Sequence, residues 1–285
     1  MSENDRYIPG VPCWVDTTQP DPEAAVAFYG DLFGWQFEDV MPPDSPVRYF
    51  VARMRDGDVA AVSGAGERAA WNTYVWVEDA DATAAKVTAA SGAVLDEPRD
   101  VGDSGRMAVC ADPAGAAFRL WQPREHRGAA IVNEPGSLNF NDLNTTDLES
   151  AAAFYGSVFG WDLIDTGGFS AWALPAYADF LEERTPGMRE NMAAMGAPER
   201  FAEVVATVRA TPDVPAYWGV TFAVDDADGV AARAEQLGGQ VVVPPFDAPW
   251  VRMTVVTDPQ GATFTASKFV PENKDLPQSA GAAAG

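Results

Sequence analysis

Hydrophobic and polar positions along the chain follow two periods that take turns. Over Pro22 to Phe33 the apolar residues Ala25, Phe28, Tyr29 and Leu32 recur at spacings of three and four, one stripe of a helix that must pack on something. Asp21 precedes it, where a carboxylate accepts from free backbone N–H groups. Gly34 follows it, where left-handed backbone costs glycine little. Trp35-Gln-Phe then opens an extended segment, and Tyr49 to Met54 and Val59 to Ser63 are further short β-rich runs. A strand, an Asp and an Ala-rich helix return from Asn72 to Ala90.

The pattern repeats at longer range. The run Asp21 to Trp35 comes back as Asp147 to Trp161, 126 residues on throughout. Trp71 to Asp81 matches Trp218 to Asp228 at an offset of 147, and Arg106-Met107 with Asp112-Pro113 matches Arg252-Met253 with Asp258-Pro259 at 146. The second half therefore carries an excess between its motifs, within Ala176 to Ala210. Each quarter reads as a strand, a helix and a run of short strands. Such a unit covers one sheet face with its helix and leaves the other, curved by twist, to close into a cup with a partner. The fold class is α+β: four tandem βαβββ units forming two modules with cup-shaped sheets. The first module is placed at 9–123, a linker at 124–136 and the second module at 137–270, with an insertion at about 177–209 and a disordered tail at 271–285.

Composition narrows the partners. The 285 residues hold 42 Asp plus Glu against 19 Lys plus Arg, a net charge of −23, which disfavours nucleic acid and anionic lipid. The opening Met1 to Tyr7 lacks the regions of a signal peptide, and no run of about 18 apolar residues occurs, so a cytoplasmic protein is expected. Cys13 and Cys110 read as half-buried thiols, and His126, the single histidine, as an exposed linker residue.

The sequence Ala-Phe-Tyr-Gly-(Asp/Ser)-(Leu/Val)-Phe-Gly-Trp after each module's first strand, with Asp-Pro-x-Gly before each last strand, resembles the vicinal oxygen chelate superfamily. That superfamily includes glyoxalase I, bleomycin resistance proteins and extradiol dioxygenases. The chain is most similar to its two-module actinobacterial branch, labelled glyoxalase-like, hydroxylase or mycobacterial antigen. The resemblance implies a divalent metal in each cup, held by His, Gln or Glu of first strands and Glu of last strands. Position by position, those places hold Trp14 and Phe140, Asn72 and Gly219, and Arg119 and Thr265. No such set supplies three or four ligands. No cofactor is expected, and a divalent metal only through a non-standard site.

Other residues carry candidate chemistry. Asp16 and Asp142 match across the modules and lie two along from Trp14 and Phe140, on the same strand face. Each is either a general base beside an aromatic wall or a structural carboxylate. Arg106 and Arg252 match likewise, and with Arg119 either clamp an anionic ligand or pair with Asp16 or Asp142. Trp14, Tyr74, Trp76 and Trp121 alternate along first-module strands, as either the wall of an aromatic cup or a filled core. The second module offers Phe140, Asn144, Thr221, Thr265 and Ser267, a smaller, more polar lining and a roomier cup. The insertion reads as a helix and turn able to lid that cup, with Met192 and Met195 as core packing.

Three functions follow in order. The first is binding or sequestering a small, partly aromatic or anionic molecule without metal. The second is a glyoxalase-like lyase or a hydroxylase or dioxygenase-type enzyme using Asp16 and Asp142 or a non-standard metal site. The third is a non-catalytic interaction protein. The partner is a small molecule, with neither nucleic acid nor membrane, and the chain is a monomer of two fused modules or a homodimer.

Overall fold

Four aspartates precede four helices in the computed structural model, which describes residues 6–276, and three of them cap their helix through the side chain. Asp21 Oδ1 accepts from Ala24 N at 3.0 Å to start α1 (Pro22–Phe33). Asp79 does the same through Ala82 N for α2 (Ala80–Ala89), and Asp147 through Glu149 N and Ser150 N for α3 (Leu148–Phe159). Asp226 precedes α6 (Ala227–Gln236) without a side-chain cap bond. Gly34 and Gly160 end their helices at φ of 73° and 74°, as the sequence requires.

Each helix sits in a βαβββ quarter. The quarters are β1 (Pro12–Thr18), α1, β2 (Gln36–Asp39), β3 (Tyr49–Met54), β4 (Gly57–Ser63); β5 (Ala70–Trp76), α2, β6 (Ala93–Val101), β7 (Gly105–Ala111), β8 (Ala117–Pro123); β9 (Leu138–Thr145), α3, β10 (Asp162–Asp165), β11 (Ser170–Ala173), β12 (Val204–Ala210); and β13 (Tyr217–Ala223), α6, β14 (Gln240–Ala248), β15 (Val251–Thr257), β16 (Thr263–Phe269). Strand orders are β2-β3-β4-β1-β5-β8-β7-β6 and β10-β11-β12-β9-β13-β16-β15-β14, two eight-stranded mixed sheets. Registers repeat, Tyr74 opposite Arg119 as Thr221 is opposite Thr265. Among the described residues no helix is long and apolar enough to cross a membrane.

The chain packs as two compact units that join quarters otherwise than the sequence order. Unit 1 takes residues 6–13, Thr73–Gly128 and Asn141–Trp218, and unit 2 takes Trp14–Asn72, Ala129–Phe140 and 219–276. The shared motifs explain the pairing. In unit 2, Tyr29 donates its hydroxyl to Asp258 Oδ2 at 2.8 Å, while Asp258 Oδ1 accepts from the backbone of Gln260, Gly261 and Ala262. In unit 1, Tyr155 donates to Asp112 Oδ2 at 3.1 Å and accepts from Trp218 Nε1, with Asp112 Oδ1 taking Ala114 N and Ala116 N. The Phe-Tyr-Gly tyrosine of one quarter thus finds the Asp-Pro-x-Gly aspartate of another. Trp35 and Trp161 complete the device by donating to the carbonyls of Gly136 and Gly10.

Several expectations are corrected here. Within the linker 124–136, Ile131 and Val132 lie on the unit 2 core and Gly128 lies against Cys13. The range 177–209 includes β12, the last strand of its quarter; the extra elements are α4 (Pro175–Arg184), α5 (Met188–Ala194) and a short turn Phe201–Glu203. Helix α5 buries no residue and Met195 is 59% exposed, so these methionines are not core. Pro271–Asn273 form a 3-10 turn, and the rest of the predicted tail beyond 276 lies outside the described residues. Cys13 and Cys110 are wholly rather than half buried.

Candidate functional site

Strand alternation gives each half-sheet a face toward its helices and a second face, and the second faces differ between modules. In unit 1 the first-module half-sheet presents Tyr74, Trp76, Arg119 and Trp121, with Trp76 and Trp121 in register. Tyr74 stands edge-on to Trp121 at 6.2 Å, Arg119 lies over the Tyr74 ring at 5.3 Å, and Trp121 Nε1 donates to the His126 carbonyl at 2.9 Å. Tyr7 covers Trp76, with ring centroids 6.0 Å apart. Tyr74, Trp76, Trp121 and Met107 are all buried, so this face is filled by its own rings. His126 is half-buried against Trp121, not an exposed linker residue.

The first-module half-sheet of unit 2 is closed as well, by a polar chain. Trp14 Nε1 donates to Tyr49 OH at 3.1 Å, Tyr49 OH donates to Asp16 Oδ2 at 3.2 Å, and Asn72 Nδ2 donates to Asp16 Oδ1 at 2.7 Å and to Thr18 Oγ1 at 3.1 Å. An indole N–H only donates, so the Tyr49 proton must point to Asp16. Trp14 and Asp16 are 2% and 3% exposed, while Tyr49 is half-buried. Tyr49 was missed in the sequence because its run, Tyr49 to Met54, carries no motif.

At the family's ligand positions stand an indole, an amide whose nitrogen is engaged by Asp16, and a guanidinium stacked on a phenol. Among the described residues no group of three or more His, Cys, Asp or Glu is placed to hold an ion.

In unit 1 the second-module strands carry Asp142, half-buried, whose Oδ1 accepts from Thr207 Oγ1 at 2.5 Å. Asn144 is buried and donates to the Asp142 carbonyl at 3.4 Å. Tyr217 is half-buried nearby; burial raises its pKa, the Arg209 charge opposes the rise and the Asp142 charge adds to it. Arg106 and Arg252 are not brought to Asp16 or Asp142. Arg106 pairs with Asp81 and Asp100, and Arg252 with Asp228 and Asp247. Asp81 and Asp228 lie in the first turns of α2 and α6, so both arginines serve the helix side of their sheets.

The second-module half-sheet of unit 2 is open along β15 and buried at Thr221 and Ser267. Register places Thr221, Ala223, Thr265, Ser267, Met253 and Val255 on one face, opposite the Phe222, Phe264 and Ala266 that meet α1 and α6 in the core. Thr221 and Ser267 are buried, but Ala223, Phe246, Val251, Met253, Val255 and Thr265 stay half-buried. At its edge Trp250, in left-handed backbone at φ 70°, stacks on Phe269 at 6.1 Å and 3°, and Phe269 is 61% exposed. The lining is therefore more apolar than Thr221, Thr265 and Ser267 suggested. Phe140, half-buried, belongs to unit 2 also. The bulges of β14 hid Val243 and Phe246 from a strict period-two reading.

A family model described as the Glyoxalase/Bleomycin resistance protein/Dioxygenase superfamily matches residues 14–120 and 137–265. The chain is 39% identical over 279 residues to "Putative glyoxylase CFP32" of Mycobacterium tuberculosis, covering 95% of this chain and all of that protein (100%). It is 33% identical over 296 residues to "Anthracycline biosynthesis protein DnrV" of Streptomyces peucetius, covering 98% of this chain and 99% of the relative. Among solved structures, the Mn(II)-bound glyoxalase from Novosphingobium aromaticivorans superposes with a TM-score of 0.59 at 15% identity, over 91% of this chain and 82% of that one. At that identity the likeness is one of fold.

Proposed function

This chain belongs to the Glyoxalase/Bleomycin resistance protein/Dioxygenase superfamily, and from that premise we propose that it binds a small, apolar, partly aromatic molecule on the open face of β13, β15 and β16, without a resident metal. The observation that carries this reading is the contrast in burial. Gly105, Met107 and Trp76 are buried in the first module, whereas Val251, Met253 and Ala223 at the matching places of the second are half-buried, beside an aromatic pair. Water against such a surface is displaced favourably, at ~25 cal/mol per Å² of apolar area covered. Pockets for small ligands have this make-up, mostly apolar with few polar groups, here the hydroxyls of Thr221 and Thr265. A relative bearing the name of anthracycline biosynthesis adds support, since anthracyclines are polycyclic aromatics.

A second reading, an acid–base enzyme, is favoured by one observation, the half-buried Asp142 close to the Tyr217 phenol in unit 1. Asp16 supports it less. At 3% exposure, with Tyr49 and Asn72 both donating to it, Asp16 suits a structural role.

The test is equilibrium binding of 1,4-dihydroxyanthraquinone before and after dialysis against a chelator. Binding is expected to be unchanged by the chelator and to weaken at least tenfold in Thr265→Trp, whose ring would occupy the face. Binding that needs added metal, or that Thr265→Trp leaves intact, contradicts the proposal.

A further inference from the structure

Between the C-terminal end of α1 and the first turns of α6, unit 2 carries a cavity of about 290 Å3 on the helix side of its sheet. Its apolar wall is Leu32 and Phe33 of α1, Val230 of α6 and Val224, a core residue 8% exposed. Short side chains leave the space, since α6 buries only Ala227, Ala231 and Ala234. The turn at Pro135 and Gly136 bounds the cavity and is fixed in place: Gly136 N donates to the Ala223 carbonyl at 2.8 Å, and Trp35 Nε1 donates to the Gly136 carbonyl at 2.7 Å. Phe33 is fixed as well, with its ring centroid 4.9 Å from that of Trp35 and 5.2 Å from that of Phe222. A preformed apolar groove of this volume lies at the small end of the range for ligand sites.

Charge selects the occupant. Asp225 and Asp226 line the same cavity and are exposed. The arginines of this region serve other acids, Arg252 pairing with Asp228 and Asp247, and Arg233 with Asp31 at 3.6 Å. Arg233 also stands seven residues beyond Asp226, roughly 10 Å along the helix axis. At the other three helix starts the aspartate bonds to the backbone N–H three residues on, that of Ala24, Ala82 or Ser150. The fourth such residue is Gly229, and Asp226 makes no side-chain cap bond. A Cβ at Gly229 would lie 2.7 Å from Asp226 Oδ2, so the carboxylate takes space that a side chain holds at the other three helices. Gly229 lines the cavity too. The helix N-terminus contributes about half a positive charge, which two carboxylates outweigh. The groove is thus acidic at one end and apolar along its length, in a chain of net charge −23.

We propose that this groove binds one small organic amine per chain, its ammonium group at Asp225 and Asp226 and its apolar body along Leu32, Phe33 and Val230. The matching start of α2 in unit 1 is not equivalent: Asp79 is tied to Ala82 N at 2.9 Å, and Thr83 replaces Val230. The groove is separate from the sheet face of the binding reading above, and either site stands without the other.

Titration of the full chain with 2-phenylethylamine, 2-phenylethanol and phenylacetate, followed by amide chemical shifts at about 0.15 M and about 0.5 M salt, tests this with one molecular shape at three charges. The amine should saturate one site at both salts and move the Gly229 and Val230 resonances. The alcohol should bind at least tenfold more weakly, and phenylacetate should leave those resonances unmoved. Asp225→Asn with Asp226→Asn should weaken the amine at least tenfold at unchanged melting temperature, because asparagine also suits a helix start. Val230→Trp should block the groove. If Val230→Trp does not fold, the charge series and the double asparagine variant decide. An alcohol bound as tightly as the amine, amine shifts that vanish at the higher salt or that miss Gly229 and Val230, or a double variant that binds like wild type overturns the inference.

Discussion

Tyr29 and Tyr155 sit in matching Ala-Phe-Tyr-Gly runs and do the same work, each donating a hydroxyl to a buried aspartate that also collects backbone N–H groups. Burial is the chief cause that raises the Asp112 carboxyl above its ordinary range, and the donors around it oppose the rise. The repeat itself was plain in the sequence. Its purpose was not, because Tyr29 and Asp258 are 229 residues apart and nothing local links them. The same holds for Asp16, whose partner Tyr49 comes from an unmarked strand. Cysteine chemistry is a residue-scale consequence. Burial pushes the Cys110 thiol up to about 12 and the Cys13 thiol well above its ordinary value. The thiolate is the nucleophile, so neither cysteine should react with iodoacetamide at about pH 8 in the folded chain, and both should react in denaturant. Labelling of either in the native state contradicts the burial described.

At the scale of elements, helices and caps were legible and the insertion was not. Asp, an apolar stripe and Gly are local signals, and three of the four predicted caps form. The insertion defeated the reading because β12 begins at Val204, inside a stretch read as helix, turn and apolar segment. Its turn is held by one carboxylate: Glu182 accepts from Gly187 N at 2.6 Å and from Arg189 N at 3.0 Å. Those backbone donors hold Glu182 below the usual 4.5. A lowered folded-state pKa means that the contribution is fully present above 4.5 and lost as pH falls through the lowered value. The amide resonances of Gly187 and Arg189 should therefore shift together only below 4.5, and Glu182→Gln should remove the titration. A midpoint at or above the ordinary value contradicts this.

For the whole molecule, the sequence made the four quarters and the two modules visible, yet the units that pack join the first quarter with the fourth and the second with the third. Periodicity carries no information on which helix meets which sheet. The site was legible in the same partial way. Trp14, Tyr74, Trp76 and Trp121 were read as either a cup wall or a filled core and are buried, while Trp250, Phe269 and Val251 escaped notice as ordinary strand and turn residues. The open face is defined by what the first module has and the second lacks, a comparison that requires register. The measurement that bears on the central claim most directly is a crystal structure with bound 1,4-dihydroxyanthraquinone. The account predicts one ring system against Met253, Val255 and Thr265, with Tyr74 and Trp121 undisturbed. A ring system seated at Trp14 and Asp16 instead, with the face around Thr265 bare, would contradict it.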